Sequence, residues 1–204
     1  MKQPDVSKAT MGRLPVYLKY LKEKESKADN ISATTIAREL RMGEVRVRKD
    51  LGSVSGAGRP KTGYNIGELM LAIENYLRGE KTTEVVIVGA GKLGRALLDY
   101  SGFGEYGLDV AAAFDISVKL PEKSQNGKPI LPMSELPRFC REHDAGIGII
   151  TVPAAAAQKV CDELVKCRVK GIWCFAPTAL NLPAGIPVQY ENMALSLAYL
   201  NKKI

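Results

Sequence analysis

From Arg13 the run RLPVYLKYLKEKE places Leu14, Tyr17, Leu18 and Leu21 at helical spacing, opposite Lys19, Lys22 and Glu23, and so predicts an amphipathic helix. In NISATTIAREL, Ser32 is suited to cap a second helix whose buried stripe runs through Ile36 and Leu40, with Ile31 placed to staple onto Ile36. That helix ends near Arg41 to Gly43, and a third opens at once in GEVRVRKDLG. There Val47 and Leu51 face inward, Arg46 and Lys49 point away, and Arg48 lies to the side. Two helices joined by a tight glycine-containing turn predict a helix-turn-helix. The stretch SVSGAGRPKTG that follows is too polar for a core element and carries Arg59 and Lys61, which suits a basic hairpin or wing. Asn65 and Glu68 then open a fourth helix with Ile66, Leu69, Ile73, Tyr76 and Leu77 on its inner face, and RGEKTT (Arg78 to Thr83) reads as a linker.

Past the linker the period changes. EVVIVGAGKLGRALLDY is a continuous apolar run, a glycine turn and a helical pattern, a β-turn-α unit. The further runs DVAAAFD, AGIGIITV, GIWCF and IPVQY alternate with helical segments such as SELPRFCREH and AAAAQKVCDELVK. This is the pattern of an α/β fold, a doubly wound parallel sheet covered by helices on both faces. The last segment, NMALSLAYL, is apolar on nearly all sides, so a helix there must be buried against something. The expected organisation is a winged helix-turn-helix DNA-binding domain over 1–78, a Rossmann domain over 79–187 and a C-terminal strand and helix over 188–204.

Composition sharpens this picture in one respect. The chain has 204 residues, 46% hydrophobic and 25% charged, which excludes collagen-like, fibrous and disordered classes. Its net charge of +7 is all in the first third: residues 1–61 hold 14 basic and 7 acidic side chains, while the rest hold 15 of each. A basic module on a neutral body predicts a polyanion partner, nucleic acid before membrane. No run approaches the roughly 18 uninterrupted apolar residues of a membrane span, and the first residues form no apolar leader, so a cytoplasmic protein without a membrane partner is expected. Cys140, Cys161, Cys167 and Cys174 form no C-x-x-C pair and His143 stands alone, which predicts reduced thiols and no metal.

Gly89-Ala90-Gly91-Lys92-Leu93-Gly94 reads G-x-G-x-x-G between a strand and a helix. Gly89 permits the tight turn, Gly91 lets backbone approach a pyrophosphate, and Gly94 allows helix and strand to pack closely. Asp115, 21 residues after Gly94 at the end of the second strand, can accept both ribose hydroxyls and would repel a 2′-phosphate, favouring NAD(H); Lys119 nearby weakens that preference. Thr151-Val152-Pro153 closes a strand at the carboxyl edge, where open sheets bind ligands, although Pro153 is also simply a good first helical residue. Tyr100, at the end of the glycine-loop helix, suits the core better than the nicotinamide. No catalytic acid or base is evident: His143 sits at the tail of a helix, and the residues after Glu84 suffice for a cofactor domain and little else. The cofactor is therefore expected to be read and not consumed.

In these residues the chain resembles the Rex family, bacterial repressors that sense NADH and NAD. VRKDL (Val47 to Leu51) resembles the family's recognition-helix signature and GYN (Gly63 to Asn65) the exit from its wing, while VGAGKLGRAL, DYSGFGEYG, VPAAAAQK and FAP follow in order. The resemblance implies a homodimer whose C-terminal helix is exchanged into the partner subunit, bound to an inverted-repeat operator. It places Arg48 and Lys49, flanked by Arg46, in the major groove and Arg59 and Lys61 by the minor groove. Around the dinucleotide it places Gly89, Gly91, Gly94, Asp115, Thr151, Val152 and Pro153; Ala90, Lys92, Leu93, Ile116 and Lys119 complete the candidate set, with Tyr100 near the nicotinamide end. Two departures stand out: the wing, Ser53 to Lys61, lacks the family's aromatics and has Pro60 at a basic position, and the tail after Val188 lacks the usual Val-Asp pair. The function implied is a repressor that holds operator DNA with NAD or no ligand and releases it on NADH. An NAD-dependent oxidoreductase with an accessory helix-turn-helix, and a module for another nucleotide such as a coenzyme A-like ligand, are the alternatives.

Overall fold

A computed structural model describes residues 6–25, 29–119 and 121–204, which divide into two compact units, 1–81 and 82–204. In the first, helix α1 (Lys8–Lys24) starts earlier than its apolar stripe suggests because the Ser7 hydroxyl caps it, accepting from the Thr10 amide at 3.1 Å. Strand β1 (Asn30–Ile31) leads through the Ser32 cap into α2 (Ala33–Glu39), and α3 (Glu44–Ser55) follows after a short turn. Leu14, Tyr17, Leu21, Ile36, Val47 and Leu51 share a core with Ile66, Leu69 and Ile73 of α4 (Ile66–Arg78). Helix α3 continues three residues, Ser53 to Ser55, into the stretch expected to be wing. There Ser53 and Ser55 fold their hydroxyls back onto the carbonyls of Asp50 and Leu51, and Gly56, at φ +76°, ends the helix. The wing itself is minimal: Arg59 and Gly63 exchange both backbone hydrogen bonds (2.8 and 2.9 Å) around Pro60-Lys61-Thr62 before β2 (Tyr64–Asn65) pairs antiparallel with β1. A Cβ on Gly63, at φ +81°, would lie 2.3 Å from the Ile31 carbonyl oxygen, so only glycine lets the ribbon close.

The second unit is a seven-stranded sheet in the order β5-β6-β4-β3-β7-β8-β9. Its strands are β3 (Thr83–Val88), β4 (Leu108–Asp115), β5 (Glu122–Lys123), β6 (Pro129–Pro132), β7 (Ile147–Ile150), β8 (Gly171–Cys174) and β9 (Val188–Tyr190). All pairings are parallel except that of β5 with β6, and reading outward from β3 in both directions gives the doubly wound arrangement. The apolar run of β3 serves both faces. Val86 and Val88 pack with α6 (Leu136–His143) and α7 (Ala154–Lys166), while Val85 and Ile87 pack with Leu98 of α5 (Lys92–Leu98). Strand β6 has no counterpart among the expected strands because PILP begins and ends in proline, a poor strand signal.

One expectation fails. Tyr100 is 59% exposed and not part of the core, since the chain leaves α5 there into a six-residue 3₁₀ segment, Ser101–Tyr106. Helix α8 (Met193–Asn201) forms where the apolar tail predicts one, and no described residue of this chain covers it: Met193, Leu195, Leu197, Tyr199 and Leu200 are all more than half exposed. Among the described residues no helix is long and apolar enough to cross a membrane.

Candidate functional site

At the carboxyl end of β3 the backbone amide of Gly89, at φ +107°, donates to the Phe114 carbonyl at 2.7 Å. A Cβ on Gly89 would lie 2.8 Å from the Thr151 carbonyl oxygen, and one on Gly94 only 1.8 Å from the Gly89 carbonyl oxygen. Both glycines are demanded by the chain's own packing. Gly91 differs: a Cβ there would meet nothing within 4 Å, so its bareness serves no contact inside the protein and leaves an open approach to the loop. Lys92, Leu93 and Gly94 open α5 and present amides without intrahelical partners on that side.

Three side chains strap this loop. Thr151 donates its hydroxyl to the carbonyls of Gly89 (2.7 Å) and Val88 (3.2 Å), so it shapes the loop from β7. Arg95 donates from Nε to the Ala90 carbonyl at 2.9 Å and pairs with Glu122, also at 2.9 Å. Asp115, at the end of β4, accepts the Ala90 amide on Oδ2 (2.7 Å) and the amide and hydroxyl of Ser117 on Oδ1 (2.8 Å each). Burial alone would raise its pKa, but the Ser117 and Ala90 hydrogen bonds, with the charge of Arg95, hold it below the ordinary carboxylate value. Of a carboxylate's roughly four acceptor directions, three are taken. The expectation that Asp115 receives two ribose hydroxyls therefore narrows to one remaining direction on Oδ2. Arg95 was not among the expected site residues; a cation one residue past the third glycine was its only signal.

A cavity of about 690 Å³, within the usual range for ligand sites, opens beside the loop. It brings together Gly89, Asp115, Ile116, Val152 and Pro153 from the expected set, and adds Met133, Ser134 and Pro137 near the start of α6 and Ala156, Lys159 and Glu163 from α7. Those α6 and α7 residues were unforeseen, being distant in sequence from any motif. Lys119, Lys92 and Tyr100 do not line it. Helix α5 carries the chain away from the carboxyl edge over its seven residues, about 10 Å, and Tyr100 packs edge-on against Phe103 at 5.0 Å between ring centroids.

In the first unit, α3 buries Val47, Asp50 and Leu51, leaving Val45, Arg46, Arg48 and Lys49 exposed. A groove of about 490 Å³ between α3, the start of α2 and the wing gathers Arg48, Arg59 and Lys61 with Ser32, Thr34 and Gly52; Arg46 and Lys49 lie outside it. Asp50, which no sequence signal singled out, holds α3 against α1. Arg13 donates to it from Nε (2.6 Å) and Nη2 (2.8 Å), Tyr17 from its hydroxyl (2.8 Å) and Thr10 from its own (3.1 Å). Burial pushes the Asp50 pKa up, yet the bonds from Arg13, Tyr17 and Thr10 outweigh it and hold the carboxyl below its ordinary value. Burial and then the Asp50 carboxylate push Tyr17 to about 12. Among the described residues Arg48 is ion-paired, to Glu44 one turn back, whereas Arg46, Lys49, Arg59 and Lys61 have no acidic partner.

The chain matches two family models, one described as "Putative DNA-binding protein N-terminus" over residues 5–52 and one as "CoA binding domain" over residues 80–178. It is 38% identical over 200 residues to the redox-sensing transcriptional repressor Rex of Treponema denticola, covering 98% of this chain and 95% of that protein. With the protein of the same name from Carboxydothermus hydrogenoformans it shares 38% over 205 residues, covering 100% and 99%. Among solved structures it resembles RSP in complex with β-NAD⁺ and operator DNA, at a TM-score of 0.86 and 29% identity over 98% of this chain and 92% of that one. RSP in complex with β-NADH matches at 0.78 and 28%, over 97% and 93%.

Proposed function

Since the chain belongs to the Rex family of redox-sensing transcriptional repressors, we propose that it binds operator DNA through its first unit and reads the NADH/NAD ratio through its second. It is a regulator and not an enzyme. The observation that carries this is the coexistence, on one chain, of a glycine loop strapped to Asp115 beside an apolar cavity and of a cation-lined groove along α3.

The residues present fit a dinucleotide. The bare Gly91 leaves room at the loop, the first amides of α5 offer donors to a diphosphate, and the free direction on Asp115 Oδ2 suits a ribose hydroxyl while its charge disfavours a 2′-phosphate. Ile116, Val152 and Pro153 supply apolar wall for a flat ring, with Ala90 and Leu93 shaping the loop. Lys92, Lys119 and Tyr100 stand outside the cavity's lining, and their part in holding the ligand, with Tyr100 near its nicotinamide end, rests on the family resemblance. When bound, the nicotinamide contributes only its redox state, which the protein senses without turnover. On the DNA side, Arg46, Arg48 and Lys49 face the major groove, and Arg59 and Lys61 the phosphates or minor groove beside it.

The exposed apolar α8 supports a homodimer in which that helix is exchanged, whose two-fold symmetry an inverted-repeat operator would match. For NADH to turn the operator-competent population from 99:1 to 1:99, it must favour the incompetent state by about 10⁴-fold. The competent fraction, and with it operator affinity, then falls about 100-fold, and by reciprocity operator DNA must weaken NADH binding by that same factor of about 100.

Fluorescence anisotropy of a labelled inverted repeat at one salt concentration tests this, with NADH, NAD, NADPH and coenzyme A as additions. Release by NADH, opposition by NAD and indifference to the other two are expected. Tight DNA binding indifferent to NADH overturns the sensing function, and release by coenzyme A alone reassigns the cavity to that nucleotide.

A further inference from the structure

Five cations were expected to meet DNA, and four of them project from the described residues without an acidic partner. Arg48 is different. Its Nη2 donates to Oε1 of Glu44, one helical turn earlier, and both side chains are exposed, 64% and 40%. Arg48 also lines the groove between α3 and the wing together with Arg59 and Lys61, so Glu44 puts a carboxylate beside a groove whose charged lining residues are all cations. Its place in the first turn of α3 suits the helix dipole, but that would be satisfied on any face of the helix; here it faces an arginine.

A carboxylate bonded to one edge of a guanidinium does two things at once. It lowers the attraction of that arginine for any phosphate it passes, because the approaching anion meets a neutralised pair. It also fixes the plane of the fork and leaves the remaining N–H donors free for a planar acceptor pair such as guanine O6 and N7. Lys in the same place, a point charge with rotatable donors, could not be oriented in this way.

We propose that Glu44 is a positioning and specificity-determining residue of this repressor: through Arg48 it suppresses binding to non-operator DNA and sharpens the reading of one guanine in each half-site. This rests on the operator-binding function proposed above. The neighbouring Val45, 79% exposed, and the unpaired Arg46 and Lys49 then supply apolar and phosphate contacts that need no such control.

The test is a double-mutant cycle on the full chain, with Glu44→Gln, Arg48→Ala and the double variant measured on operator DNA, on an operator with the candidate guanine replaced by adenine, and on random DNA across several salt concentrations. Both positions are exposed, so the variants should melt with the wild type. For Glu44→Gln, affinity for random DNA should rise and its log–log salt slope should steepen by about 0.9, one added phosphate contact. The ratio of operator to random affinity should fall about 3- to 10-fold, with the loss concentrated at the substituted base pair. In the Arg48→Ala background the same substitution should change neither the ratio nor the base preference. An equal gain on all three DNAs, or an effect that persists without Arg48, reduces Glu44 to a general repulsive charge and overturns the inference while leaving the repressor function intact. A wild-type chain that binds no inverted repeat overturns both.

Discussion

Replacing Asp115 by Ala removes a carboxylate that does two separable jobs. The Ala90 amide, on a residue only 7% exposed, loses its acceptor at 2.7 Å, and the two donors of Ser117 lose theirs at 2.8 Å. An amide left unpaired where water has little access costs about 1–3 kcal/mol, which should appear as a lower melting temperature of the second unit. The second job is the free direction on Oδ2. A hydrogen bond from a ribose hydroxyl to a charged acceptor is worth about 1.5–3 kcal/mol, so NADH affinity should fall roughly 10- to 150-fold. NADPH, whose 2′-phosphate no longer meets a negative charge, should lose less or gain, and the preference for NADH should shrink by at least about tenfold. Asp115→Asn separates the two effects: it keeps an acceptor for the Ala90 amide, hence most of the stability, but drops the charge that excludes the phosphate. Titration by dihydronicotinamide fluorescence, with melting curves alongside, measures both. A D115A protein that melts early yet keeps the wild-type preference for NADH over NADPH refutes the ribose assignment and leaves Asp115 as a strap alone.

Gly94→Ala places a methyl 1.8 Å from the Gly89 carbonyl oxygen, so the loop must move; NADH affinity should drop more than about 100-fold while DNA binding without ligand persists, as titration and anisotropy will show. Asp50→Asn should destabilise the first unit by about 2–3 kcal/mol at neutral pH, seen by far-UV circular dichroism with the fluorescence of the single tryptophan, Trp173 in β8, as an internal control that does not shift. Because the folded pKa of Asp50 is depressed, its stabilisation is present above the ordinary carboxylate pKa and is lost as pH falls through the folded value. Asp50→Asn should accordingly flatten the acid limb of that unit's stability, and an unchanged limb would contradict the pairing. Leu197→Asp, on a side chain 69% exposed in the single chain, should turn a dimer into monomers in sedimentation at micromolar concentration; a dimer that survives it would place the subunit contact elsewhere.

Much of this was legible in the chain before its coordinates. Ser32 and Asn65 cap the helices that their spacing predicts, and AAAAQKVCDELVK is the α7 helix from end to end, because local caps and a 3.6-residue period act within a few residues of each other. Other features depend on distant parts of the chain. The carboxylate of Asp50 sits mid-helix, and a polar residue there ordinarily faces solvent; only the arrival of Arg13 and Tyr17 from α1 makes it interior. In the same way Lys159 and Glu163 read as the solvated side of an amphipathic helix until the start of α6 closes a cavity over them.

The dinucleotide site shows why a motif locates chemistry better than it assigns roles. Each glycine in G-x-G-x-x-G looks alike in sequence, yet two are required by contacts within 3 Å inside the protein and one by nothing in it. Thr151 and Asp115 were expected to face a ligand, and both also hold the loop: Thr151 spends its one donor on the carbonyls of Val88 and Gly89, and Asp115 accepts the Ala90 amide as one of its three hydrogen bonds. That allocation suits a sensor. Ligand contacts made by groups that also hold the loop to β4 and β7 make the loop's geometry answer to occupancy, and a sensor needs a ligand with different affinity for two arrangements of the same residues more than it needs tight binding.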